Sequence, residues 1–252
     1  VADCASSRRL FYALHQKSSL IGAILLTTEN RQFFEMRKVA RSRLAGRDVR
    51  EIAAKSGAAF GMNRLQGTGK PVSSSPECQM ASDGAILLQS FGQTVSICLE
   101  ACQFSPEIGD WHALTLLHYL DLADGAALTG RLISFADYPD GLIRGAGFDR
   151  NAELVIRRDL GVLPPEALRQ RALALGAELL PSNADFCARI SFAPRYPLFL
   201  KIWYADEELP ASGRLLLDES APHYLTIEDA VTVGSLLLDA LTSAELWAQA
   251  GV

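Results

Sequence analysis

Three stretches follow one another with no helical segment between them: Phe186 to Phe192, Leu198 to Tyr204 and Arg214 to Asp218. In the first, Phe186, Ala188, Ile190 and Phe192 share one face; in the second, Leu198, Leu200, Ile202 and Tyr204 do. Successive side chains of a strand point to opposite faces, so this period of two reads as half-buried strands. Earlier in the chain, Ala85 to Phe91 and Thr94 to Ala101 read as a hairpin around Gly92-Gln93, with Val95, Ile97, Leu99 and Ala101 on one side. Strands in consecutive groups, rather than in strict alternation with helices, predict an α+β fold. The expectation is an antiparallel or mixed sheet of about five strands packed with helices.

The helices announce themselves by their ends. Asp48-Val-Arg-Glu51 is a capping box, and the helix it starts closes at Gly57. Asp110 is read as the cap of a helix over Trp111 to Leu122, apolar almost all round and therefore buried on several sides. Residues 129–146 are turn-rich; Phe148 to Leu160 and Pro165 to Leu175 then read as helices, the second with Pro at its start and Gly176 past its end. A long helix spans Ile227 to Leu241, and a short one is expected after Thr242-Ser-Ala-Glu245. Residues 61–84 hold Gly, Ser and Pro with little apolar periodicity and read as a long surface loop. Residues 1–35 read as a tail or an over-extended start, with a single α+β domain over 36–252.

Several functions can be set aside. A formal charge of -5 and scattered Lys and Arg offer no electrostatic footprint for nucleic acid. The apolar run Leu20 to Leu26 is far shorter than the ~20 residues a membrane helix needs. Five cysteines without a CxxC, in a chain this long, read as reduced thiols in a cytoplasm. LQGTGKPVSSS resembles a phosphate loop but has Arg64 where the first glycine belongs and Pro71 where the Mg²⁺-binding hydroxyl belongs.

The densest chemistry is LLLDESAPHYLTIED, Leu215 to Asp229. Thr226-Ile-Glu-Asp229 is a helix start, and Glu228 and Asp229 complement the positive end of the helix dipole. Asp218, Glu219, His223 and Tyr224 remain. Asp218 and His223, five residues apart across a turn, either bind an ion or exchange a proton, or form a surface turn with its own hydrogen bonds. His118 and His112 lie six residues apart on one helix, about 240° around its axis, and cannot chelate together. His118 reads as a core histidine with a hydrogen-bond partner. Cys98 and Cys102, read as strand residues on one face, stand about 13 Å apart and cannot share a metal. With Glu100 they mark a polar-leaning face able to line a pocket.

LLHYL (Leu116 to Leu120), LTGRLISFADYPDG (Leu128 to Gly141), the block Pro197 to Leu225 and TIEDAVTVGSLLLDAL after it together resemble the domain of unknown function 3786 family. The resemblance spans roughly residues 110–242 and implies a bacterial or archaeal protein, mostly of anaerobes. Some relatives carry an added four-cysteine iron–sulfur domain, whose cysteine set this chain lacks. The family brings no catalytic residues to carry over.

Three function classes stay open. One is a binding or accessory protein for a corrinoid, haem or metal centre, or for an unknown small molecule or protein partner, with contacts at Asp218, His223, Tyr224, His118, Cys98 and Cys102; His and Cys are natural ligands of such centres. Another is an enzyme using Asp218 and His223. The third is a protein interface built on Phe199 and Trp203, opposite the face of Leu198 and Leu200.

Overall fold

The structure, a computed structural model, describes residues 26–61, 84–243 and Trp247. Two antiparallel sheets form among these residues. The first has four strands in chain order: β1 (Ala59–Gly61), β2 (Ala85–Ser90), β3 (Gln93–Cys98) and β4 (Gln103–Ser105). The second contains β5 (Leu132–Ile133), β6 (Glu178–Leu179), β7 (Phe186–Ala193), β8 (Tyr196–Trp203) and β9 (Ser212–Asp218), in the order β5-β9-β8-β7-β6. The α+β class is as expected, and so is the antiparallel pairing. The division into two sheets was not legible, because alternation says that a strand has a buried face and not which strand lies beside it.

Register follows burial. Leu198 lies between Ile190 and Leu217, and Leu200 between Ala188 and Leu215, so the wholly buried residues of three strands share one face. Helices cover that face: α4 (Gly141–Val155), its π-helical extension Ile156–Leu160, α5 (Pro165–Ala174) and α6 (Ile227–Thr242). The first sheet packs with α1 (Leu26–Leu44), α2 (Val49–Ser56) and α3 (Asp110–Leu122). The central helix α3 is buried from His112 to Leu117 and again at Tyr119 and Leu120. Its rings tie the sheets together: Phe192 of β7 lies 5.6 Å from both Phe91 and His112, and 6.5 Å from Tyr119. The Phe91 amide also donates to the Ser191 carbonyl at 2.9 Å.

Several boundaries differ from expectation. The β2–β3 turn is Phe91-Gly92, both at positive φ, a two-residue hairpin turn. β3 ends at Cys98 rather than Ala101, because Leu99–Cys102 form the reversal into β4 and Cys102 is left-handed at φ 53°. Asp110 is the first residue of α3 and Gly109 stands at its cap, without a side-chain bond. The Glu51 carboxylate pairs with Lys55 at 2.7 Å, while Asp48 caps α2 through the Arg50 amide. Helix α4 starts at Gly141, seven residues before Phe148, through a glycine-rich stretch that looked like turns. Those glycines serve packing: a Cβ on Gly141 or Gly145 would stand 2.3 or 1.9 Å from the Phe135 carbonyl oxygen.

The boundary placed before Met36 falls inside α1, which is unbroken there; Phe33 is buried and meets Trp111 edge-on at 5.8 Å. Residues 1–25, most of the expected 61–84 loop (62–83), the Ala244-Glu245 half of the expected cap and all of the short closing helix but Trp247 lie outside the described residues. No helix among the described residues is long and apolar enough to cross a membrane.

Candidate functional site

The Leu215–Asp229 stretch consists of the end of β9, a 3-10 turn (Ala221–His223) and the start of α6. Thr226 caps α6: its hydroxyl accepts from the Asp229 amide at 3.3 Å and donates to the Asp229 carboxylate at 2.8 Å. The other oxygen of that carboxylate meets His118 Nδ1 at 2.7 Å, so the cap also fastens α6 to α3. His118 thus has the partner expected of it, though it is half-buried rather than in the core. Glu228 pairs with Arg144 at 2.9 Å.

Asp218 is 2 % exposed and saturated. One carboxylate oxygen accepts from the Thr129 amide at 3.0 Å, the Ser220 amide at 2.9 Å and the hydroxyls of Thr129 and Ser220; the other accepts from the Gly130 amide at 2.8 Å. Burial opposes its charge, but the hydrogen bonds from Ser220, Thr129 and Gly130 outweigh it and hold the carboxyl below its ordinary value. Asp218 therefore staples the 129–131 loop to the end of β9.

The pairing expected between Asp218 and His223 is not made. His223 Nδ1 instead bonds the carboxylate of Asp124, 2.6 Å away and 99 residues earlier in the chain. Hydrogen bonds from His223 and from the Ala126 amide hold the Asp124 carboxyl below its usual range. His223 Nε2 has no hydrogen-bond partner among the described residues. A carboxylate on Nδ1 fixes the neutral ring with its proton on that side, leaving Nε2 as a lone-pair donor.

His223 stands on the wall of a cleft of about 680 Å³ between the 126–139 segment and the 219–223 turn. Thr129, Arg131, Asp137, Glu219 and Ser220 also line it, Arg131 and Glu219 as an ion pair across one side. Tyr224 is wholly buried beneath this region; its hydroxyl donates to the Ala126 carbonyl and its ring stacks on Tyr119 at 5.4 Å. Burial raises its phenol, so it acts as a neutral donor that positions the cleft wall.

Cys98 and Cys102 flank the turn between β3 and β4, and the separation of about 13 Å deduced for one strand face does not apply to them. Both are free thiols; Cys102 is buried and borders a smaller hollow of about 290 Å³ with Arg37, Phe104 and Asp110. Neither cysteine nor His118 lines the His223 cleft. No group of three or more His, Cys, Asp or Glu among the described residues is arranged to hold a metal ion.

Sequence reasoning missed Asp124, which orients His223, and Arg131 and Asp137, which line the cleft. The turn composition of 123–130 was the available signal, but it carries no information about a partner a hundred residues away.

A family model described as domain of unknown function (DUF3786) matches residues 71–240. No curated protein and no solved structure matches the chain.

Proposed function

The chain belongs to the DUF3786 family, and we propose that it is a binding or accessory protein whose ligand enters the cleft at His223. One observation carries this reading: Asp124 orients His223 on the wall of a cleft of ligand size while Nε2 keeps no protein partner among the described residues. Carboxylate-oriented imidazoles are a recurrent means of presenting one nitrogen to a metal centre. The donor set fits a group that takes a single nitrogen, such as the metal of a corrinoid or haem. It does not fit a bare ion or an iron–sulfur cluster, which need several protein ligands. A role in corrinoid or iron–sulfur metabolism of an anaerobic bacterium or archaeon rests on the family resemblance alone. The three free thiols among the described residues accord with a reducing cytoplasm.

A second reading has its own observation. The same Asp124–His223 geometry would let Nε2 act as a general base toward a substrate in the cleft. Asp218, buried and saturated, would take no part.

An absorption spectrum and metal analysis of protein purified without oxygen test the first reading. Visible bands or stoichiometric iron or cobalt that vanish in His223→Ala support it. Colourless, metal-free protein whose spectrum is unchanged by added cobalamin or haemin overturns the metallated-ligand form.

A further inference from the structure

The five-stranded sheet has a second face, opposite the one the helices cover. Cross-strand register arranges it in rows: Cys187–Lys201–Arg214, then Arg189–Phe199–Leu216, with Trp203 beside Ser212 at the end. Phe199, Lys201, Trp203 and Leu216 stay partly accessible there, and Arg214 is exposed. Lys201 and Arg214 are thus direct cross-strand neighbours of like charge, an arrangement that destabilises a sheet. Neither makes an ion pair among the described residues, although Arg214 also borders a hollow of about 240 Å³ with Asp149 and Glu153 of α4 and its charge acts on the Asp149 carboxyl. Arg189 has Glu178 at 3.3 Å.

The loop that joins β8 to β9 carries the complementary charge. Residues 205–210, Ala-Asp-Glu-Glu-Leu-Pro, are all exposed. Asp206 accepts from the amides of Glu208 and Leu209 at 2.9 and 2.7 Å, which organises the turn from within. Glu207 and Glu208 remain without ion pairs among the described residues, and Leu209 stands 66 % exposed beside them. Among the described residues one hairpin therefore holds two cations without ion pairs, Lys201 between Phe199 and Trp203 and Arg214 beside it, and two carboxylates without ion pairs beside an apolar tip.

We infer that a second copy of this chain covers the open face, with the Glu207–Leu209 loop of each copy seated on the Lys201–Arg214 row and the Phe199 and Trp203 rings of the other. The reciprocal use of one patch is the isologous contact of a two-fold dimer. It relieves the like-charge neighbours and buries an exposed leucine against aromatic side chains, while acidic loops and basic faces keep identical patches apart.

Sedimentation equilibrium of the full chain tests this at about 100 µM, where an interface of standard size is occupied. A dimer that weakens as salt rises is expected, since screening shortens to a few ångströms near 1 M. The double variant Lys201→Glu with Arg214→Glu, and separately Glu207→Lys with Glu208→Lys, should each weaken the dimer at least about tenfold, as like charges then face each other. Mixing the two variants should restore it, because each acidic loop then meets a basic face and each basic loop an acidic one. Wild-type protein that is monomeric at this concentration overturns the inference, whatever the variants do. So does a dimer that neither charge reversal weakens, or variants that remain monomeric when mixed.

Discussion

Two histidine–aspartate pairs in this protein share one bond and differ in everything around it. His118–Asp229 and His223–Asp124 each join Nδ1 to a carboxylate oxygen, at 2.7 and 2.6 Å. The side chains of the first pair are 20 % and 13 % exposed; those of the second are 52 % and 53 %. Asp229 also belongs to the Thr226 cap, so the first pair couples the start of α6 to α3. Asp124 caps no helix; it accepts from the Ala126 amide within its own loop, and its bond to His223 is open to water, where such a contact is worth little. The same contact is therefore a structural tie in one place and an oriented imidazole in the other. Setting, not residue type, separates them.

Four experiments sharpen that contrast, beginning with the most buried carboxylate of the neighbourhood. Asp218→Ala leaves the amides of Thr129, Gly130 and Ser220 without their acceptor and should lower unfolding free energy by about 3–5 kcal/mol in urea titration. A loss under about 1 kcal/mol would show that water replaces the carboxylate there.

Acid titration comes next. His112 is buried against Phe91 and Phe192, with Ser90 Oγ at 2.7 Å from Nε2, and burial lowers its pKa from 6.5 to about 4. The unfolded chain then binds more protons than the folded one between those values. Stability is full above pH 6.5 and falls as pH drops toward 4, by up to about 3 kcal/mol. Asp218, with its pKa depressed, adds a further loss at lower pH, as its carboxylate takes up a proton. Thermal melts against pH should show both stages. His112→Leu combined with Ser90→Ala, which removes both partners, should erase only the upper one.

Asp229→Ala removes the acceptor of both Thr226 and His118 and should cost about 1–3 kcal/mol, read as a lower thermal midpoint. Asp124→Ala should change stability by no more than about 0.5 kcal/mol. If the cleft binds through His223, that variant should still weaken haemin or cobalamin binding by about tenfold, as loss of an orienting carboxylate does at metal sites. Equal stability losses for Asp124→Ala and Asp229→Ala would erase the distinction between the two pairs.

Local patterns carried the fold a long way. Alternation marked β7, β8 and β9 within a residue or two, and Thr226 and Gly176 stand at the helix ends where their chemistry placed them. The errors occurred where a residue answered to a distant part of the chain. Gly141 and Gly145 looked like turn residues because their reason, the Phe135 carbonyl pressed against α4, is invisible locally. Leu99 and Ala101 kept the strand period while the backbone turned at Cys102. In the candidate site, His223 and Tyr224 stood out by type, and the partner of each lay about a hundred residues away.

By itself, then, the sequence determined the α+β class, the strands with one buried face, the helix starts and stops, and a family resemblance centred on the 197–225 block. Those depend on periodicities and caps that act within a few residues. Only the tertiary structure decided that the strands divide into two sheets, that Asp218 is a staple, and that His223 answers to Asp124 at a cleft. A carboxylate's role is set by how many donors surround it and how much water reaches it, and both quantities exist only once distant segments have met.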